Sequence, residues 1–220
     1  GEVLSQFQHA YKRPDTYIGS VTTILDSKWV AKEEISFEKI RYNPGLSNIF
    51  RELGSNIIDN KWRSENDPDS PPMKKVVIKT DLETGEISFW NDGYCIPVHK
   101  ESYTFEPFKK EPYTMNLYPA EVFFGQMGAG TNFNDSEERK TSGRNGMGAK
   151  LVNVFSTEFI VDHACPNDGR RFLQKHTTNG TESSPPRLTK YNRKTGYTKI
   201  TFTPDYAYFK YPTEEAPGLD

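Results

Sequence analysis

Between Asn43 and Ser64 the run "NPGLSNIFRELGSNIIDNKWRS" places apolar residues at Ile49, Phe50, Leu53, Ile57 and Trp62. That three-and-four spacing, entered through Pro44 and Gly45, predicts a core helix. The period then shortens. "SENDPDSPPM" (64–73) stacks Pro, Asp and Ser into a surface loop, after which "KKVVIKT" (74–80) and "GEISFWNDG" (85–93) alternate over short spans. Joined through "DLETG", they predict a hairpin. His99 to Pro119 is aromatic, basic and proline-broken without a steady period, and predicts a long ordered loop. "AEVFFGQMG" (120–128) predicts a short helix running into glycine. Some twenty polar, glycine-rich residues follow (129–148), long for a structureless loop and therefore functional in expectation. "STEFIVDHAC" (156–165), "RRFLQKHTT" (170–178) and "YTKITFTPDYAYF" (197–209) supply three more strands, with turns at "PNDG" and "NRKTG".

Strands that cluster late and are joined by turns predict an α+β sandwich, with helices on one face of a mostly antiparallel sheet. One domain over 1–211 is expected, with 212–220 as an exit linker. With 34% hydrophobic and 26% charged residues the chain reads as globular, and no apolar run approaches the roughly 20 residues of a membrane span. The two cysteines, Cys95 and Cys165, form no pairing or zinc motif, which fits a reducing intracellular compartment. A net charge of −2 argues against this segment being the main contact to nucleic acid.

On the first helix Glu52, Asn56 and Asn60 recur at four-residue intervals and share a face. Amides beside a carboxylate suit a metal held through oxygen and an oriented water; they equally suit the solvent face of an amphipathic helix. "WNDGYCIP" (90–97) ends a strand in Asn-Asp-Gly, which is either an ordinary turn or a place where Asn91 or Asp92 meets a base edge. "TSGRNGMGAKLVNVFS" (141–156) offers Gly143, Gly146 and Gly148 just before Lys150 and an apolar helix. Such glycines let backbone approach a phosphate, although a plain loop has the same composition. Ala149 between Gly148 and Lys150 excludes a P-loop, and the polar "SEERKT" before it is no strand of a dinucleotide fold.

Taken in order, these motifs resemble the GHKL ATPases, the family that includes type II topoisomerases, Hsp90 chaperones, MutL mismatch-repair proteins and histidine kinases. "YKRPDTYIGS" (11–20) is similar to the amino-terminal signature of type IIA topoisomerases, and "GRNGMGAKLVNVFSTEF" (143–159) resembles their eukaryotic form. "NPGLSNIFRELGSNIIDN", "YPAEVFFGQMGAGTNF" and "YTKITFTPD" fall in the family's order, so the resemblance covers essentially the whole chain.

That resemblance implies a two-layer GHKL sandwich with a mixed sheet, and ATP and Mg²⁺ as cofactors. Glu52 would be the general base for the attacking water, Asn56 the Mg²⁺ ligand, and Asn60 a pocket residue. Asn91 would meet the adenine, with Ile96 and Phe124 around it. Gly130, Thr131 and Asn132 would contact ribose and phosphates. Gly143, Arg144, Asn145, Gly146, Met147, Gly148, Ala149 and Lys150 would wrap the triphosphate. Several positions depart from the family: Arg51 for an acidic residue, Cys95 for a glycine, Met147 for an aromatic, Gly130-Thr131 for two serines. This drift implies a divergent eukaryotic or viral, giant-virus-like, member. The resemblance further implies homodimerisation in the full-length protein, contact with DNA mainly through other domains, no membrane, and a nuclear or virus-associated location. A lysine from a following transducer domain would reach the γ-phosphate, so these 220 residues alone are expected to hydrolyse ATP weakly and not to cleave DNA. Two alternatives are another GHKL machine, of chaperone or mismatch-repair type, and a nucleotide-sensing module without turnover.

Overall fold

The computed structural model describes residues 6–105, 111–125 and 148–211, with side chains from residue 8. Two short helices, α1 (Gln6–Lys12) and α2 (Pro14–Tyr17), precede a hairpin of β1 (Ile24–Ala31) and β2 (Ile35–Tyr42). The long helix α3 (Pro44–Asn66) leads into strands β3 (Val76–Thr80) and β4 (Ile87–Asn91). A second hairpin, β5 (Glu101–Phe105) with β6 (Tyr113–Leu117), is followed by α4 (Pro119–Phe124) and α5 (Gly148–Val154). Strands β7 (Ser156–Cys165), β8 (Arg170–Thr177), β9 (Glu182–Ser183), β10 (Arg187–Lys190) and β11 (Tyr197–Pro204), then helix α6 (Tyr206–Phe209), complete the described chain.

The main sheet has seven strands in the order β10-β8-β7-β11-β4-β3, with β9 on β8. Every pairing among the described residues is antiparallel. Register divides it into two faces, because successive side chains alternate across the pleat. Ile87, Phe202 and Phe159 share one inner row, and Phe89, Ile200 and Val161 the next. All six are buried. The helices cover this face: Phe50 of α3 meets Phe89 edge-on at 4.9 Å, and α3 packs against α5. Asn43 caps α3 by accepting from Leu46 N at 3.1 Å, and its amide donates to Phe209 O at 3.1 Å. One side chain thus starts the helix and anchors α6 to it.

The expected sandwich is therefore present, and the helix over 43–64 runs from Pro44 to Asn66. The loop expected over His99–Pro119 is corrected: it contains β5 and β6, paired from Glu101↔Leu117 to Phe105↔Tyr113. Its apolar residues hold a small core of their own around Phe105, Leu117 and Val122, which periodicity along one strand cannot reveal. The β1–β2 hairpin was not legible either. Its cross-strand pair Trp29 and Phe37 is exposed, so no buried face writes an alternation into the sequence. Residues 212–220, expected as a linker, lie outside the described residues.

Candidate functional site

One face of α3 and one end of the inner sheet face meet at the candidate site. Glu52, Asn56 and Asn60 stand on successive turns of α3, so Glu52 and Asn60 are roughly 12 Å apart along the axis. The two ends of this line have different neighbours. At Asn60, the amide donates to Tyr94 O (3.1 Å), Ser64 Oγ donates to Asn60 O (2.9 Å), and Tyr94 N donates to Ser64 Oγ (2.7 Å). The helix is thereby stapled to the Asn-Asp-Gly loop. At Glu52, the first residue of α5 closes in: a Cβ on Gly148 would overlap the Glu52 carboxylate. Burial holds the Glu52 carboxyl above its usual range, and the nearby Arg51 charge opposes this only in part. Arg51 itself is exposed. The side chain of Asn56, between the two, makes no hydrogen bond among the described residues.

The loop after β4 divides the two candidates that sequence left open. Asp92 braces the strand before it, accepting at one oxygen from Lys74 N (2.8 Å) and Lys75 N (2.9 Å). Asn91 is buried on the inner face, donating to Asp92 O at 2.9 Å. Gly93 takes the left-handed turn (φ 98°), where a Cβ would come within 2.6 Å of Ser64 Oγ. Cys95 has no positive φ, so the missing family glycine costs this turn nothing. Its Sγ instead fills the space beside Gly196 and donates to Gly93 O at 3.5 Å; the neighbouring Cys165 thiol and burial push the Cys95 thiol up.

Register shows what spacing could not. Asn91 lies opposite Thr198, and Thr198 opposite His163, making a polar row next to the two apolar rows of the inner face. Thr198 Oγ1 and both ring nitrogens of His163 are buried without a hydrogen-bond partner among the described residues. Such groups are costly unless something satisfies them. A threonine at the first inward position of β11, ahead of Ile200 and Phe202, was the available signal for a residue that sequence reasoning missed.

Of the other expected site residues, Ile96 and Phe124 are buried in the main core. Phe124 meets Phe159 at 6.2 Å, which places it two rows from Asn91. Gly148, Ala149 and Lys150 are buried in the first turn of α5. Gly130, Thr131, Asn132, Gly143, Arg144, Asn145, Gly146 and Met147 lie outside the described residues.

No protein-family model matches the chain. Curated relatives do. It is 41% identical over 209 residues to DNA topoisomerase 2 of Saccharomyces cerevisiae, covering 94% of this chain and 13% of that protein. It is 38% identical over 210 residues to DNA topoisomerase 2-beta of Gallus gallus, covering 94% of this chain and 12% of that protein. The chain thus spans about an eighth of these relatives. Among solved structures it is similar to the ATPase region of Saccharomyces cerevisiae topoisomerase II, with TM-score 0.75 and 36% identity over 100% of this chain and 53% of that one. The ATPase and transducer domains of DNA topoisomerase II from Balamuthia mandrillaris give 0.75 and 31% over 100% and 52%. The ATPase domain of Thermus thermophilus gyrase B, at 0.56 and 18%, shares the fold. A helix carrying Glu52 and two asparagines, a buried Asn91 at a strand end and a glycine against the carboxylate thus stand in a chain that belongs to the topoisomerase II family and matches about half of its ATPase region.

Proposed function

We propose that this chain binds ATP with Mg²⁺ along the Glu52–Asn60 face of α3 and supplies the general base for its hydrolysis. The observation that carries the reading is the polar row Asn91–Thr198–His163, whose buried and unsatisfied atoms call for a hydrogen-bonding ligand. A purine edge is such a ligand. With the base at that end, the phosphates extend toward Glu52 and the start of α5.

The donors present suit the cofactors. Asn56 offers one amide oxygen, and Mg²⁺ takes few protein ligands when phosphates and water supply the rest. When bound, the ion neutralises charge on the phosphates. Glu52, made more basic by burial, accepts a proton from the attacking water, and its place against Gly148 fixes where that water stands. Asn60 and Ser64 hold the adenine loop on the helix that carries the base.

Within a longer protein of the relatives' kind, the same reading makes the ATP cycle drive homodimerisation and passage of duplex DNA, inside the cell where that DNA lies. Titration calorimetry with a non-hydrolysable ATP analogue, with and without Mg²⁺, tests the binding. Asn56→Ala should remove the Mg²⁺-dependent part; equal affinity in wild type and variant would sink the assignment. In the longer protein, Glu52→Ala should abolish ATP-dependent relaxation of supercoiled DNA while leaving nucleotide binding intact.

A further inference from the structure

The outer face of the main sheet, turned away from the helices, carries a second basic site. Val77 of β3, Trp90 of β4 and Lys199 of β11 form one row across three strands. Lys75 and Lys79 flank Val77, and Ser88 flanks Trp90. Together these six residues line an open concavity of about 230 Å³. Strand spacings put Lys75 and Lys79 roughly 13 Å apart and Lys199 roughly 10 Å across from Val77.

The charges are uncompensated. None of the three lysines has an ion pair among the described residues. Asp162, opposite Lys199 in register, is already held by Arg171 at 2.8 and 2.6 Å and by the Tyr197 hydroxyl at 2.7 Å. On the same face Glu158 pairs with Lys175 at 2.5 Å, and Glu182, opposite Thr177, accepts from the Thr178 hydroxyl at 3.0 Å. No carboxylate lines the concavity. Its floor is aromatic and braced: Trp90 stacks on Tyr197 (6.2 Å, 19°), which meets Tyr191 edge-on (6.0 Å).

We infer that this face binds single-stranded DNA, with phosphates on Lys75, Lys79 and Lys199 and one base against Trp90. Lysines anchored on backbone positions about 10 to 13 Å apart suit successive phosphates of a strand better than one anion. An aromatic floor in a hollow this size takes a single base, and base faces are open only outside a duplex. A net charge of −2 conceals such a patch, because charge acts locally once screened. The site lies on the sheet face opposite the polar row, so it stands or falls independently of ATP binding.

The test uses the 220-residue chain and a labelled oligothymidylate about a dozen nucleotides long, in EDTA, read by anisotropy against salt. Replacing Lys75, Lys79 and Lys199 by glutamine should weaken binding at least about tenfold and lower the salt slope by roughly 2. Unfolding temperature serves as the folding control, since all three side chains lie on the surface face. With the exposed Trp29 and Trp62 replaced by phenylalanine, oligothymidylate should quench the remaining Trp90 emission. Unchanged affinity and slope in the lysine variant would overturn the inference. So would equal affinity for a duplex of the same length without quenching, or equal competition by polyglutamate.

Discussion

Gly148 stands so close to Glu52 that a methyl group on the glycine would occupy the space of the Glu52 carboxylate oxygen. The start of α5 is thus the wall against which the Glu52 carboxylate, the proposed general base, rests. Gly148→Ala should displace that carboxylate and lower kcat of the longer protein roughly 10- to 100-fold, since misplacement by about 1 Å costs on that order. Nucleotide affinity should change far less. Steady-state ATPase kinetics beside calorimetry separate the two effects.

Thr198 should matter to the ligand more than to the fold. Its hydroxyl is buried without a hydrogen-bond partner among the described residues, so Thr198→Val keeps the shape and removes only that group. The variant should bind an ATP analogue about tenfold more weakly, a loss of about 1.4 kcal/mol. It should unfold at the same temperature or higher. A variant that loses stability but not affinity would return Thr198 to the ordinary core.

The burial of two histidines makes acid stability predictable. Desolvation lowers His163 and His176 to about 4, against 6.5 in the unfolded chain. Between those values the unfolded state binds more protons, so stability falls as pH drops from about 6.5 towards about 4. Each histidine contributes a slope of up to about 1.4 kcal/mol per pH unit. His99 has the opposite sign, because Asp168 raises it, but it is exposed and adds little. Denaturant titrations across this range should show the acid slope roughly halved in His163→Phe.

Gly196 tests how Cys95 is accommodated. A Cβ at Gly196 would collide with Cys95 Sγ and approach Ala164 O to 2.6 Å and Pro166 Cδ to 2.9 Å. Gly196→Ala should cost about 2 kcal/mol, in the range of overpacking. Adding Cys95→Gly should recover part of it, which a double-mutant cycle by thermal unfolding measures directly. Strict additivity would show that the thiol is not what fills the space.

How much of this was legible beforehand depended on where burial leaves a mark in the sequence. The α3 helix and the β3–β4 hairpin were readable because each buries one face, as at Ile49 and Leu53 or Ile87 and Phe89. The β5–β6 pair was not, since Tyr113 to Asn116 of β6 are all exposed and carry no alternation, while β5 alternates only in degree of burial and places just Phe105 fully inside. Glu52, Asn56 and Asn91 were singled out through the order of their motifs along the chain, and spacing alone left each with an ordinary alternative. Thr198 was missed because its role arises from cross-strand register with Asn91 and His163, a relation between residues more than a hundred positions apart in the case of Asn91.

The α3 helix has one further consequence. It is a single 23-residue rod, tied near Asn60 to the base loop and braced at Glu52 by α5. On the proposed reading, base recognition and water activation would both be set on this one rigid gauge. A ligand shortened by a phosphate would then reach the base end and not the other, so the rod would measure ligand length.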